Sequence, residues 1–237
     1  MIFPTPIEQR ANAIVLVHGA WVGEWSWLPV LAKLQASGRP VHAVSLTGHG
    51  VRRHQGGPHV TLADHATDVS NYIETYDLTD ITLVGHSYGG RVITQACGKI
   101  GDRVESLVFL DAHTPVAPDP GQPEERIRQA EANGGMLPFA SSYTPNAQLF
   151  GGQAAVDWFL ERTVDQSFAC LNAPWLAELP PHARKTFVLA AADDPSRFAH
   201  YADAIRGDDA WSLYELDGPH FLMVSHPNEV TSIILDA

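Results

Sequence analysis

Residues 81–90 read ITLVGHSYGG, an apolar run that leads without a break into a serine flanked by glycines. Residues 81–84 are typical of a buried strand, and the segment after Ser87 is typical of a helix. In this strand–turn–helix context a G-x-S-x-G pattern forms a nucleophile elbow, with the serine hydroxyl exposed on a sharp turn. Small residues are needed at Gly85 and Gly89 because the turn brings backbone segments close together. The sequence therefore predicts a nucleophilic serine at the carboxyl end of a strand.

Further β-branched runs lie on both sides of this motif, and helix-length segments separate most of them. Strands are predicted at residues 13–18, 40–46, 80–86, 103–111, 185–191 and 210–216. Helices are predicted at residues 24–37, 61–76, 88–100, 196–206 and 227–235. This alternation predicts the α/β class, with a doubly wound, mostly parallel sheet of about six strands and right-handed crossovers. The last run alternates in polarity, which favours an edge position for that strand.

The interval between the fourth and fifth predicted strands breaks the alternation. It shows no strand-like run, and its helical pieces fall at residues 124–132, 154–163 and 168–179. An insertion of about 70 residues is long for a loop and indicates a functional segment, and its many aromatic residues suit a lid over a pocket. We therefore predict one domain over residues 1–237, with a core of residues 1–111 and 185–237 and a mainly helical lid of residues 112–184.

Composition narrows the class of protein. Hydrophobic residues make up 45% and charged residues 18% of the chain, which suits a globular protein with a sizeable core. The formal net charge of -12 disfavours nucleic acid and anionic membrane surfaces as partners. Only two cysteines, Cys97 and Cys170, are present, so no disulfide framework is implied. With no visible signal peptide and no apolar run of about 20 residues, a cytoplasmic protein is expected.

A serine nucleophile needs an adjacent base, and the chain offers 12 histidines. His220 follows the last predicted strand and precedes the last helix, so we expect it at the same sheet edge as Ser87. His113, at the start of the predicted lid, is the reserve candidate. The histidines that lie next to or near glycines are interpreted as hydrogen-bonded loop residues: His18, His49 and His86.

The third group is a carboxylate that orients the imidazole and stabilises imidazolium. Asp193 and Asp194 follow the strand predicted at residues 185–191, and the chain order serine, acid, histidine favours this position. We select Asp194, with Asp193 as the alternative. Asp111 is a more distant alternative, which we interpret as a loop-bracing carboxylate.

An oxyanion hole requires two backbone N–H groups directed at the developing negative charge. Tyr88, the residue after the nucleophile, is predicted to supply one of them. Ala20, in the loop after the first strand, is predicted to supply the other, because Gly19 allows the tight turn before it.

Several stretches carry a resemblance to a known family: VLVHGAWVGEWSW at residues 15–27, LTGHG at 46–50, LVGHSYGG at 83–90 and LVFLDAHTP at 107–115. With the paired aspartates and GPH around Asp194 and His220, they resemble α/β-hydrolases, and among these the plant methylesterase and hydroxynitrile lyase group with its bacterial esterase relatives. The resemblance implies the α/β-hydrolase fold and a triad on Ser87, Asp194 and His220. It also implies that no cofactor and no metal take part.

This chain differs from the hydroxynitrile lyases at two positions that affect which reaction is expected. The lyases carry a lysine directly after the catalytic histidine and a threonine in the first loop, where this chain has Phe221 and Gly19. Without either polar group, cyanohydrin cleavage is disfavoured.

The leading hypothesis is a serine carboxylesterase that acts on a small, largely apolar ester through an acyl-enzyme. The predicted pocket residues are Trp21, Phe139, Trp158 and Phe221. A lactonase, thioesterase or C–C bond hydrolase with the same triad is the alternative, and a hydroxynitrile lyase or a non-catalytic ligand receptor ranks below these. The expected partner is a small-molecule ester, and a homodimer is compatible with the sequence.

Overall fold

The computed structural model describes residues 11–139, 143–174, 177–192 and 197–237. The strands in these ranges are β1 (Ile14–Val17), β2 (Val41–Val44), β3 (Ile81–His86), β4 (Val104–Leu110), β5 (Met136–Leu137), β6 (Gln166–Ser167), β7 (Arg184–Ala190) and β8 (Trp211–Leu216). The α-helices in these ranges are α1 (Leu28–Gln35), α2 (Leu62–Thr75), α3 (Gly89–Ile100), α4 (Glu124–Ala132), α5 (Gln153–Leu160), α6 (Phe168–Leu171), α7 (Ala199–Ile205), α8 (Leu222–Ser225) and α9 (Pro227–Asp236).

One six-stranded sheet has the order β2-β1-β3-β4-β7-β8, and every neighbouring pair is parallel. The predicted parallel sheet of about six strands is confirmed, as is the edge position of the last strand. Because all six strands run in one direction, their carboxyl ends meet at one edge of the sheet. The loops that follow β1, β3 and β4 therefore lie side by side.

Burial agrees with the interior positions of β1 and β3 in the sheet. Every residue of both strands is buried, and their sequences IVLV and ITLVGH are almost entirely apolar. Strands with both faces covered by helices have such runs. Helix α2 packs against α3, and α1 packs against α9. None of the helices in the described ranges is long and apolar enough to cross a membrane.

We name residues 112–183 the connecting segment, since it joins the end of β4 to β7. It carries α4, α5 and α6, and it also contains the antiparallel pair β5–β6, in which Met136 pairs with Ser167 and Leu137 with Gln166. The expectation of no strand in this interval was therefore wrong in this detail. Two-residue strands pair through tertiary contacts and leave no alternating run in the sequence.

The start of α3 lies directly against the end of β1. A Cβ atom on Gly89 would be 2.6 Å from the Val17 carbonyl oxygen and 2.8 Å from that of His18. Both atoms belong to the backbone at the carboxyl end of β1, which cannot move without disturbing the neighbouring strands. The second glycine of the motif is therefore required by this close approach.

We expect Gly89→Ala to lower the free energy of unfolding by about 1–3 kcal/mol, because the added methyl group overpacks the contact with β1. Gly98→Ala, in the exposed part of the same helix, is the matched control. Its nearest neighbour would be the Ala177 Cβ at 3.4 Å, so we expect the better helix former to raise the free energy of unfolding by about 0.5–1 kcal/mol. Urea denaturation measures both; equal stability of the two variants would contradict the role given to Gly89.

Candidate active site

Ser87 follows β3 in a left-handed backbone conformation, with φ at 54°. Its N–H donates to the Leu110 carbonyl at 3.2 Å, and its own carbonyl accepts from Gly90 N at 3.1 Å and His113 N at 3.1 Å. A left-handed conformation is unfavourable for a residue with a Cβ and persists only where surrounding contacts hold it. These three hydrogen bonds hold the turn that the G-x-S-x-G pattern predicts.

His220 lies next to the serine hydroxyl, with Nε2 at 2.9 Å from Ser87 Oγ. The Phe198 ring stacks on the imidazole, with ring centroids 5.5 Å apart and an angle of 14° between the planes. The His220 backbone carbonyl accepts a hydrogen bond from His86 Nε2 at 3.0 Å. Both the ring and the backbone of His220 are therefore held in place, and His86 braces the loop that carries it.

Asp111 contacts the other side of the imidazole, with Oδ2 at 2.6 Å from His220 Nδ1. Its Oδ1 accepts from Ala190 N at 3.0 Å, and its own N–H donates to the Val188 carbonyl at 2.7 Å. The carboxylate is thus fixed to the end of β7. Because a carboxylate accepts the Nδ1 proton, Nε2 is left to accept the proton of the serine hydroxyl.

The position of Asp111 departs from the sequence interpretation. Asp193 and Asp194 lie outside the described residues, so the assignment of the acid to Asp194 stays a prediction. Asp111 was ranked behind both aspartates and interpreted as a loop-bracing carboxylate, whereas the structure shows it in contact with His220. In the parallel pair β3–β4, His86 is opposite Leu110, so the next residues, Ser87 and Asp111, emerge at the same level. This pairing of neighbouring strands is not visible in the sequence of either strand alone.

Burial raises the pKa of Asp111 to about 8, and the Ala190 N–H and the charge of Arg197 oppose this rise. An ionised carboxylate in this position is therefore most stable when its neighbour His220 carries a proton. That protonated state forms when the serine hydroxyl gives up its proton, so the contact favours the serine acting as a nucleophile.

The reserve candidate His113 has a different environment. Its Nδ1 lies 3.3 Å from the Tyr201 hydroxyl and 3.3 Å from Asp119 Oδ2. Burial lowers the pKa of His113 to about 4 despite the hydrogen bond with Asp119. The structure thus places His113 in a buried polar cluster, whereas His220 contacts the serine hydroxyl.

The first loop, which carries Ala20, is fastened by the connecting segment. Trp21 has a left-handed φ of 64°, its carbonyl accepts from Val164 N at 2.9 Å, and its Nε1 donates to the Leu137 carbonyl at 2.7 Å. Ala20 lines the cavity at Ser87, whereas the Tyr88 side chain is buried, with its hydroxyl 2.9 Å from His65 Nδ1. The assignment of an oxyanion hole to these two N–H groups stays a prediction.

A cavity of about 330 Å³ opens above Ser87 and His220. Three of the predicted pocket residues line it, Trp21, Phe139 and Phe221. Tyr143, one of the aromatic residues of the predicted lid, also lines it, whereas Thr144 and Arg197 were not predicted from the sequence.

The interpretation of Trp158 as a pocket residue is corrected by its position. Its side chain is 40% exposed and lines a separate groove together with Trp25. The next residue on α5, Phe159, is buried and contacts the Phe221 ring at 5.0 Å between centroids. Successive helical residues point about 100° apart, so only one of the two can face the interior.

Three buried histidines support the loops behind the site: His18, His49 and His65. His18 Nε2 accepts from Leu46 N at 3.2 Å, which leaves Nδ1 to donate to the Gly19 carbonyl at 2.8 Å. Burial lowers the pKa of His18 well below its ordinary value and lowers those of His49 and His65 to about 4. The loop that carries Ala20 therefore rests on neutral imidazoles.

The described side chains offer nucleophilic attack and proton transfer at this site. Within residues 11–139, 143–174, 177–192 and 197–237, no group of three or more histidine, cysteine, aspartate or glutamate side chains is arranged to hold a metal ion.

Comparisons with known proteins identify the family of this chain. The sequence pattern of the alpha/beta hydrolase family matches residues 14–233. A carbendazim hydrolyzing esterase from Nocardioides sp. (strain SG-4G) is 33% identical over 242 residues, which cover 91% of this chain and 95% of that protein. Methylesterase 10 from Arabidopsis thaliana is 31% identical over 109 residues, covering 46% of this chain and 40% of that protein.

Solved structures share the fold. An extracellular alpha/beta-hydrolase from a Paenibacillus species superposes with a TM-score of 0.73 at 22% identity, covering 95% of this chain and 98% of that one. The predicted resemblance to plant methylesterases and their bacterial esterase relatives is thereby confirmed.

We expect the buried histidines to make the fold acid-sensitive. An unfolded histidine binds a proton below its ordinary pKa of about 6.5, whereas folded His65 stays neutral down to about 4, so the free energy of unfolding falls as the pH is lowered through this window. At pH 5 one such histidine lowers the free energy of unfolding by about 2 kcal/mol relative to pH 8.

The measurement is the free energy of unfolding against pH, from urea titrations between pH 4 and 8. His65→Gln should have a shallower slope than the wild type below pH 6.5, by up to about one proton. His54→Gln, at an exposed position, is the matched control and should leave the slope unchanged. An unaltered slope in His65→Gln would contradict the prediction, because it would show that folded His65 binds a proton below pH 6.5 as readily as unfolded His65 does.

Proposed function

The chain belongs to the alpha/beta hydrolase family and is an enzyme with carboxylesterase-type activity, and we propose that it cleaves carboxylic esters through a covalent acyl-serine at Ser87. The observation that carries this proposal is the continuous chain of hydrogen bonds from Asp111 through His220 to the Ser87 hydroxyl, with distances of 2.6 Å and 2.9 Å. A nucleophile, a base and an orienting carboxylate in this order are the parts that serine acyl transfer needs.

In the proposed reaction Ser87 Oγ attacks the ester carbonyl carbon while His220 Nε2 takes the hydroxyl proton. Asp111 holds the imidazole orientation and stabilises the imidazolium that forms. The N–H groups of Ala20 and Tyr88 stabilise the oxyanion. When the tetrahedral intermediate collapses, the C–O bond to the alcohol breaks and His220 protonates the departing alkoxide. Water, activated by His220, then hydrolyses the acyl-serine and regenerates the free enzyme.

The cavity supports a small, largely apolar substrate around the scissile bond. Its volume of about 330 Å³ is at the low end for small-molecule sites, and Trp21, Phe139 and Phe221 line it. The name of the Nocardioides relative points to an ester-cleaving activity on a small molecule, and we extend the ester-cleaving activity to this chain.

The first loop favours hydrolysis over cyanohydrin cleavage. A Cβ at Gly19 would be 2.9 Å from His86 Nδ1 and 3.1 Å from the Ser87 Cβ. The threonine that the lyases carry in this loop therefore has no room at Gly19 without a shift of the elbow, and Phe221 supplies no ammonium group beside His220.

A cytoplasmic location is part of the proposal. Cys97 and Cys170 are both buried free thiols, which suits a reducing compartment. The homodimer stays a prediction from the sequence.

We expect Ser87→Ala to lower kcat on 4-nitrophenyl acetate by at least about 10³-fold, because the acyl-serine cannot form. Ser70→Ala is the matched control, since Ser70 is buried in α2 away from the cavity; its kcat should stay within about twofold of the wild type. Steady-state kinetics on purified protein checks both, and unaltered turnover by Ser87→Ala would contradict the proposal. A parallel screen of lactones and thioesters identifies the preferred bond.

The acid is tested by comparing two isosteric variants. If Asp111 orients His220, Asp111→Asn should lower kcat by about 10³–10⁴-fold at neutral pH with little change in KM, because an amide cannot stabilise imidazolium. Asp194→Asn should then retain kcat to within about tenfold. The reverse ranking would assign the role to Asp194, as the sequence predicted. Near-ultraviolet circular dichroism confirms that both variants are folded.

A further inference from the structure

A second cavity, of about 500 Å³, lies beside the catalytic one. Arg197 lines both cavities, so the two meet at this residue. The second cavity is bordered by the loop that precedes α4 and by Arg126 in the first turn of that helix. We name it the arginine chamber. The proposed ester cleavage does not use it.

Arg126 lines the arginine chamber and contacts a residue of the catalytic cavity. Its guanidinium lies over the Trp21 ring, 5.6 Å from the centroid, and Trp21 lines the catalytic cavity. Its Nη1 donates to Gln122 Oε1 at 3.3 Å, a neutral partner. The side chain is thus positioned on an aromatic face while its charge is available to the chamber.

The carboxylates near Arg126 are engaged by other groups. Asp119 lines the chamber, but it forms an ion pair with Arg91, lies 3.3 Å from His113 Nδ1 and accepts from Gly121 N at 2.8 Å. On α4 itself, the neighbouring acids Glu124 and Glu125 pair with Arg128. Among the described residues no carboxylate lies within ion-pair distance of Arg126.

The surroundings of Arg126 in the chamber destabilise a guanidinium charge that has no anionic partner. Partial burial, and then the like charge of Arg197, lower the pKa of Arg126 to about 10. A bound anion would relieve both effects, because it replaces lost hydration and offsets the repulsion between the two cations.

We propose that the arginine chamber is a carboxylate subsite and that the preferred ester carries a carboxylate, separated from the scissile carbonyl by a short spacer. The proposal rests on the proposed function, since it identifies the substrate class of the same serine. The aromatic cavity takes the apolar spacer and the ester, and Arg126 binds the carboxylate beyond the edge of Trp21. Arg126 is thereby a specificity-determining residue.

Matched ester pairs test the proposal. For a carboxylate on the acyl part, the pair is mono-4-nitrophenyl glutarate and 4-nitrophenyl valerate. For a carboxylate on the alcohol part, it is 4-acetoxybenzoate and phenyl acetate. The quantity measured is the ratio of kcat/KM for the anionic ester to that for the neutral ester, at low ionic strength.

In at least one pair, Arg126→Gln should lower this ratio at least about tenfold, mainly through a higher KM for the anionic ester. Arg126→Lys, which keeps the charge but not the planar group, should retain part of the ratio. Arg128→Gln is the matched control, because Arg128 is exposed on the same helix and pairs with Glu124 and Glu125. It should leave the ratio within twofold, and added salt should lower the wild-type ratio.

The possible outcomes distinguish a failure of the carboxylate subsite from a failure of the proposed ester cleavage. If Arg126→Gln leaves the ratio unchanged in both pairs, or lowers kcat/KM for the anionic and neutral esters equally, the subsite is overturned and Arg126 only supports Trp21. If neutral esters are then still hydrolysed in a Ser87-dependent manner, the proposed function stands without the subsite. If the wild type hydrolyses none of the four esters, the proposed function fails as well.

Discussion

The contact between β3 and β4 is the constraint on which the site depends. These strands run parallel with His86 opposite Leu110, so the two residues that follow, Ser87 and Asp111, leave the sheet side by side. Both then turn through left-handed backbone conformations, with φ at 54° and 42°. His220 is bound between them. The spacing of the nucleophile and the carboxylate is therefore set by the register of two buried strands rather than by a flexible loop.

The structural elements around Ser87 and Asp111 hold these two residues in place. Gly89 allows α3 to begin directly on the end of β1, and neutral imidazoles fasten the loop that carries Ala20. The connecting segment reaches the same loop through hydrogen bonds to Trp21. A backbone conformation that is unfavourable by itself persists only when neighbouring groups hold it in this way. The same packing leaves the histidines without water, which is why acid should destabilise the fold.

Much of the fold follows from local patterns. The six strands of the sheet and the elbow at Ser87 could be predicted because apolar runs and glycine spacing reflect local geometry. The contact of Asp111 with His220 was not predicted because it depends on which strands are neighbours, and strand order is not encoded in any single segment. Trp158 was misplaced for a related reason: composition shows that α5 is aromatic but not which of two adjacent rings faces inward. Arg126 and Arg197 are far apart in the chain, so only the fold brings them to one chamber.

The central claim is that His220 activates Ser87, and covalent labelling with a fluorophosphonate tests it most directly. Such reagents phosphonylate an activated serine hydroxyl, and peptide mass spectrometry locates the modified residue. We expect the label on Ser87, and we expect His220→Ala to slow labelling by at least about 100-fold in a folded protein. Labelling of another residue, or equal rates in the wild type and His220→Ala, would contradict it.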